Sequence, residues 1–227
     1  MTLVKVCGLR DASNALVAAE AGAHFLGFVF VPGVRRQLKV HEASTIIEDV
    51  RNALGTRTPK IVGLFADQPV EEVNRTASLC NLDMLQLCGN EALEYCRKVE
   101  RPVIKVLHVP DGKPIDAVVQ QLEQKMTDFE SLGFMLALDR KSDLQPGGLG
   151  QTFDWSVAEA LSRRHRFLLA GGLSPKNAAD AIRRVHPWAV DVSSGVETNG
   201  VKDPNKTRAF LETVAQASQQ TMRSAAP

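Results

Sequence analysis

LVKVCGLRDASNALVAAEAG, residues 3–22, holds one complete structural repeat. Leu3 to Cys7 is a short β-branched run, the pattern of a strand. Asp11 stands where an N-cap oxygen belongs, the alanine-rich segment after it is made of helix formers, and Gly22 ends it. A strand, a loop and a helix in so short a span form a β/α unit, and the fold depends on how often that unit recurs.

It recurs through the chain. Apolar runs fall at about 25–30, 60–65, 83–87, 102–107, 133–138, 166–170 and 188–193, with amphipathic segments of helical length between them. Pro69 with Glu71 and Glu72 reads as a helix first turn, and Ser174-Pro175 as a cap followed by an N1 proline. The runs are apolar on both faces, as in a parallel sheet covered by helices. Eight such units predict an α/β fold, a single-domain (β/α)8 TIM barrel over residues 1–220, with 221–227 as a C-terminal tail and fraying expected from residue 219 onward. An open doubly wound sheet is the alternative; repetition of one unit favours closure.

Composition narrows the function classes. Of 227 residues, 44% are hydrophobic and 23% charged, and the formal net charge is +1. No basic face suggests nucleic acid, and no apolar run reaches the roughly 20 residues of a membrane span or resembles a signal peptide. Cys7, Cys80, Cys88 and Cys96 show neither a CxxC pair nor zinc-ligand spacing, so free thiols in a cytoplasmic chain are expected, with Cys80 and Cys96 as packing residues. His24, His41, His108, His165 and His186 are scattered, and no metal site is expected.

A barrel carries its chemistry at the C-terminal ends of its strands, with phosphate often bound after strands seven and eight. Three glycine-bearing loops lie after the last three strands: Gly147, Gly148 and Gly150 in 146–150, Gly171 and Gly172 in 170–175, and Ser194 and Gly195 in 193–197. Each glycine alone needs only to permit a turn, but three adjacent loops point to a cradle of backbone N–H groups for phosphate. Alternation puts Met135, Ala137 and Asp139 toward the barrel axis. Position alone leaves Asp139 open as a general acid or base or as the cap of a turn. Leu3, Lys5 and Cys7 also point inward, and a buried Lys5 needs a partner. Asp191, inward on strand eight beside strand one, is the expected one.

These residues belong to an ordered set: LysValCysGly at 5–8, GlyPheValPhe at 27–30, ValGlyLeuPhe at 62–65, GlnLeuCysGlyAsnGlu at 86–91 and LeuAsp at 138–139. The set continues with GlyGlyLeuGlyGlnThrPheAspTrp at 147–155, AlaGlyGlyLeuSerProLysAsn at 170–177, ValAspValSerSerGlyValGlu at 190–197 and LysAsp at 202–203. It resembles the phosphoribosylanthranilate isomerase family over nearly the whole length. The resemblance implies an Amadori rearrangement in tryptophan biosynthesis without cofactor or metal, on a phosphorylated small molecule, by a cytoplasmic monomer or homodimer. It further implies Asp139 as general acid, Cys7 as general base and Arg36 as the holder of the anthranilate carboxylate. The glycine loops, with Asp191 and Ser194, complete the implied substrate-binding set.

The chain departs from the family at several positions. Cys88 stands where histidine is common, and Arg140 and Leu149 where small or hydroxyl residues are common. Arg35 precedes Arg36, which leaves open which of them faces substrate. Two other functions stay in view: an aminoaldose-phosphate isomerase of the histidine-biosynthesis type, and a catalytically silent phosphate-binding barrel. The first uses two aspartates and half-to-half repetition, and the second predicts a broken acid–base pair.

Overall fold

In a computed structural model, residues 1–110, 112–140 and 154–224 are described. β1 (Leu3–Cys7) leads to α1 (Ala12–Glu20), whose first turn is held by Asp11: its carboxylate accepts the Asn14 N–H at 2.7 Å. The unit repeats as β2 (Phe25–Val29) with α2 (Val40–Leu54), β3 (Lys60–Phe65) with α3 (Val70–Leu79), and β4 (Met84–Leu87) with the single turn α4 (Leu93–Cys96). It goes on as β5 (Val103–Val109) with α5 (Ile115–Glu130), β6 (Met135–Arg140) with α6 (Trp155–Ser162), and β7 (Phe167–Leu169) with α7 (Ala178–Val185). β8 (Ala189–Val192) precedes the long α8 (Pro204–Ser224). All eight strands pair in parallel in chain order, and β8 closes on β1, so the expected TIM barrel is the fold.

Strand alternation sorts the core into two layers. Val4, Val6, Leu26, Phe28, Leu136 and Leu138 pack outward against the helices, while Phe25, Val62, Ile104, Val106, Ala137 and Leu168 fill the axis. Lys5 is wholly buried within that inner layer. Register places Asp191 directly opposite, and the two meet at 2.9 Å, the pairing expected from the sequence.

Four details differ from the sequence reading. Ser174 does not cap α7; the helix begins at Ala178, and the Asn177 side-chain oxygen accepts the Ser174 N–H at 2.8 Å, tying the segment into a turn first. α8 continues to Ser224 because no glycine or proline interrupts it, so residues 219–224 are helical instead of frayed. β5 and β6 each run two residues further than expected, which brings His108 and Asp139 into one register pair. A small hairpin not anticipated from the pattern, β9 (Glu197–Thr198) and β10 (Val201–Lys202), follows β8. Asn199 and Gly200 form its tip with φ of 51° and 80°, the conformation a two-residue hairpin turn demands.

Candidate active site

Inward positions at the C-terminal ends of the strands converge at the barrel mouth. Cys7 ends β1 and is almost completely buried. Its register partner on β2 is Gly27, where a Cβ would press on both the Cys7 thiol and the Lys5 ammonium. Glycine at that position lets thiol and ammonium share the space. Burial pushes the Cys7 thiol up, and Lys5 and Lys202 pull it back only in part. Burial alone would lower Lys5, but Asp191 and Cys7 overcome that and hold it charged. The positive charge beneath the thiol is therefore permanent at neutral pH.

Asp139 lies one residue from the end of β6. Burial pushes its carboxyl up to about 6, against the opposing pull of His108 and of the Arg140 N–H, which donates to Oδ1 at 2.7 Å. Gly171, with φ of 86°, passes so close that a Cβ there would crowd Oδ1. The loop after β7 thus roofs the carboxyl. Among the described residues no three histidine, cysteine or carboxylate side chains converge as metal ligands.

Two of the three expected phosphate loops are described. Gly171 and Gly172 take successive positive φ, and a Cβ at Gly195 would collide with the Leu173 carbonyl. The loops after β7 and β8 are therefore packed directly on each other, with Ser194 and Gly195 in a short 3₁₀ turn. Gly147, Gly148 and Gly150 lie outside the described residues. Asp191 is committed to Lys5 through Oδ2, and its Oδ1 is buried without a partner among the described residues.

The loop after β2 separates the two arginines. Arg36 lies over Gly8, where a Cβ would collide with its side chain, beside the loop that follows Cys7. Its side chain is 13% exposed, whereas that of Arg35 is 48% exposed and reaches outward to the Gly200 carbonyl. Of the two, Arg36 borders the mouth.

Three residues at this site were missed in the sequence. His108 is inward on β5, its Nε2 2.8 Å from the Cys88 carbonyl, which requires an N–H at Nε2 and leaves Nδ1 buried without a partner among the described residues. Extending the strand pattern two residues would have shown it. Glu197 and Lys202 face each other across the hairpin, a pairing the Asn-Gly dipeptide in ETNGVK signals. Cys88 has its thiol pushed up to about 12 by burial, so it stands as a neutral neighbour of this group.

With this geometry in place, comparison with known proteins gives a consistent result. Residues 4–213 match the family model for N-(5'-phosphoribosyl)anthranilate isomerase. The chain is 42% identical to the N-(5'-phosphoribosyl)anthranilate isomerase of Dehalococcoides mccartyi, over 96% of this chain and 97% of that one. It superposes with a TM-score of 0.77 on monomers of the dimeric phosphoribosylanthranilate isomerase of Thermotoga maritima, at 32% identity over 95% of this chain and all of that one. A phosphoribosylanthranilate isomerase in complex with reduced 1-(o-carboxyphenylamino)-1-deoxyribulose 5-phosphate gives a TM-score of 0.78 at 31% identity, over 95% of this chain and all of that one.

Proposed function

The chain belongs to the N-(5'-phosphoribosyl)anthranilate isomerase family, and from there we propose that Asp139 is the general acid and Cys7 the general base of its reaction. That reaction is an aldose–ketose isomerisation in tryptophan biosynthesis, taking N-(5'-phosphoribosyl)anthranilate to 1-(2-carboxyphenylamino)-1-deoxyribulose 5-phosphate. The match decides between it and the aminoaldose rearrangement considered above.

Asp139 gives its proton to the ribose ring oxygen as the C1–O bond breaks, and the anthranilate nitrogen supplies the electrons for a Schiff base. Cys7, as thiolate, removes the proton from C2 and leaves an enolamine, which becomes the 2-ketone when a proton returns at C1. Arg36 holds the anthranilate carboxylate, and the loops of Gly171–Gly172, Ser194–Gly195 and 146–150 take the phosphate. The observation that carries this reading is the pair itself: at the end of β1 a buried thiol shares its space with the Lys5 ammonium, and near the end of β6 the loop after β7 closes over a carboxyl that burial pushes up to about 6.

The starting states are the uncommon ones. Asp139 titrates below Cys7, so the form with Asp139 protonated and Cys7 ionised is a minor one. Its share stays constant between the two pKa values, which gives the enzyme a broad working range. The four free cysteines support a cytoplasmic setting. A monomer or a homodimer fits, the latter in keeping with the dimeric relative.

The test follows the loss of substrate fluorescence when anthranilate phosphoribosylation is coupled in situ to the purified chain. Cys7→Ala and Asp139→Asn are each expected to lose about 100-fold or more in kcat. Near-wild-type turnover by either variant would remove that residue from the mechanism.

A further inference from the structure

Arg36 and Glu197 are joined side-on. Nε donates to Oε1 at 2.7 Å and Nη2 to Oε2 at 3.0 Å, although the residues are 161 positions apart in the chain. A guanidinium has five N–H bonds in a fixed plane. Side-on pairing uses two of them and leaves its far end, one N–H each from Nη1 and Nη2, set parallel for the two oxygens of a second carboxylate.

Glu197 is itself held from other directions. Its side chain is 6% exposed, and its carboxylate takes Lys202 Nζ at 2.9 Å from across the β9–β10 hairpin and Arg35 Nη2 at 2.6 Å from the solvent side. Lys202 Nζ also donates to the Ser193 carbonyl, and the Ser193 hydroxyl to the Cys7 carbonyl, so the hairpin is fastened to the end of β1. Three cations meet one carboxylate. Glu197 can therefore orient Arg36 without cancelling the positive charge on that side of the mouth.

We propose that Glu197 is a positioning residue for recognition of the substrate's aromatic carboxylate: it grips the side edge of Arg36 and turns the end of the guanidinium toward the substrate. The inference rests on the reading of Arg36 given above. It assigns the hairpin a role in specificity, with the Asn199–Gly200 turn setting Lys202 opposite Glu197.

The experiment measures binding of three probes to the whole chain: reduced 1-(2-carboxyphenylamino)-1-deoxyribulose 5-phosphate, the same compound made from aniline and so lacking the carboxylate, and inorganic phosphate. Wild type is expected to favour the carboxylated probe by roughly 10- to 100-fold, the worth of hydrogen bonds to a charged group. Glu197→Gln is expected to shrink that preference to within about 3-fold while binding phosphate normally, and in turnover to raise KM about 10-fold with little change in kcat. A wild type without preference for the carboxylate would overturn the reading of Arg36. If Arg36→Ala abolishes the preference and Glu197→Gln keeps it, the reading of Arg36 stands and this inference fails. If Glu197→Gln also weakens phosphate binding, Glu197→Asp decides, because it retains the charge but draws it back by one methylene. A reduced preference with normal phosphate binding then supports the proposal, and a wild-type preference overturns it.

Discussion

Lys5 and Asp191 meet at 2.9 Å inside the barrel, an ammonium and a carboxylate on the two strands whose pairing closes the sheet. Each is buried, and each makes the other tolerable. Lys5→Met leaves Asp191 as an unpaired buried charge and is expected to cost about 3–5 kcal/mol in urea unfolding. Lys5→Met combined with Asp191→Leu is expected to recover most of that stability, since an apolar pair of similar volume replaces the ion pair. A double variant no more stable than the single one would show that the interior needs the charges themselves.

The pH dependence of kcat/KM is expected to follow the inverted pair. Below about 6 Asp139 stays protonated, and activity rises with the thiolate fraction, about tenfold per pH unit. From there to the raised value of Cys7 the two populations compensate and the profile is flat; above it, activity falls as Asp139 alone continues to lose its proton. Alkylation of Cys7 by iodoacetamide should accordingly still accelerate above pH 9, the ordinary value for the thiol. Full alkylation rate at pH 7 would contradict this assignment of states.

His108 pulls the Asp139 carboxyl down against the effect of burial. His108→Ala removes that pull, so the acidic limb of kcat/KM should end above pH 6. A limb that stays in place would mean that His108 does not set the Asp139 value.

Asp139 also bears on stability. Its folded pKa, about 6, lies above the ordinary 3.8, so the native state favours the protonated form. The stability this contributes is complete below pH 3.8 and is lost as pH rises to 6. Asp139→Asn should therefore be more stable than wild type at pH 7 by about 2 kcal/mol, with the partial exposure of the carboxyl taken into account. The difference should disappear in urea titrations near pH 3.5, below the ordinary carboxyl value.

Much of this molecule is written locally. The two-residue alternation in VKVC and MLALD already assigned Cys7, Lys5 and Asp139 to the barrel axis, because side-chain direction in a strand follows from the backbone alone. Asp11 capped α1 as its position predicted, since its partner is only three residues away. The Lys5–Asp191 pair was also legible once the strands were counted, because closure leaves strand eight no neighbour but strand one.

Other features needed the folded chain. In the sequence His108 is one of five scattered histidines, and only strand register sets it beside Asp139. ETNGVK contained a hairpin signal, yet nothing local told that Glu197 would hold Arg36 or that Arg35 would turn outward. Strand periodicity and helix caps act between residues a few positions apart, so the order of residues was enough to settle the barrel and the face each side chain takes. Protonation states and the grouping of Arg36, Glu197 and Lys202 depend on burial and on charges from distant strands, and closure of the barrel alone brings those together.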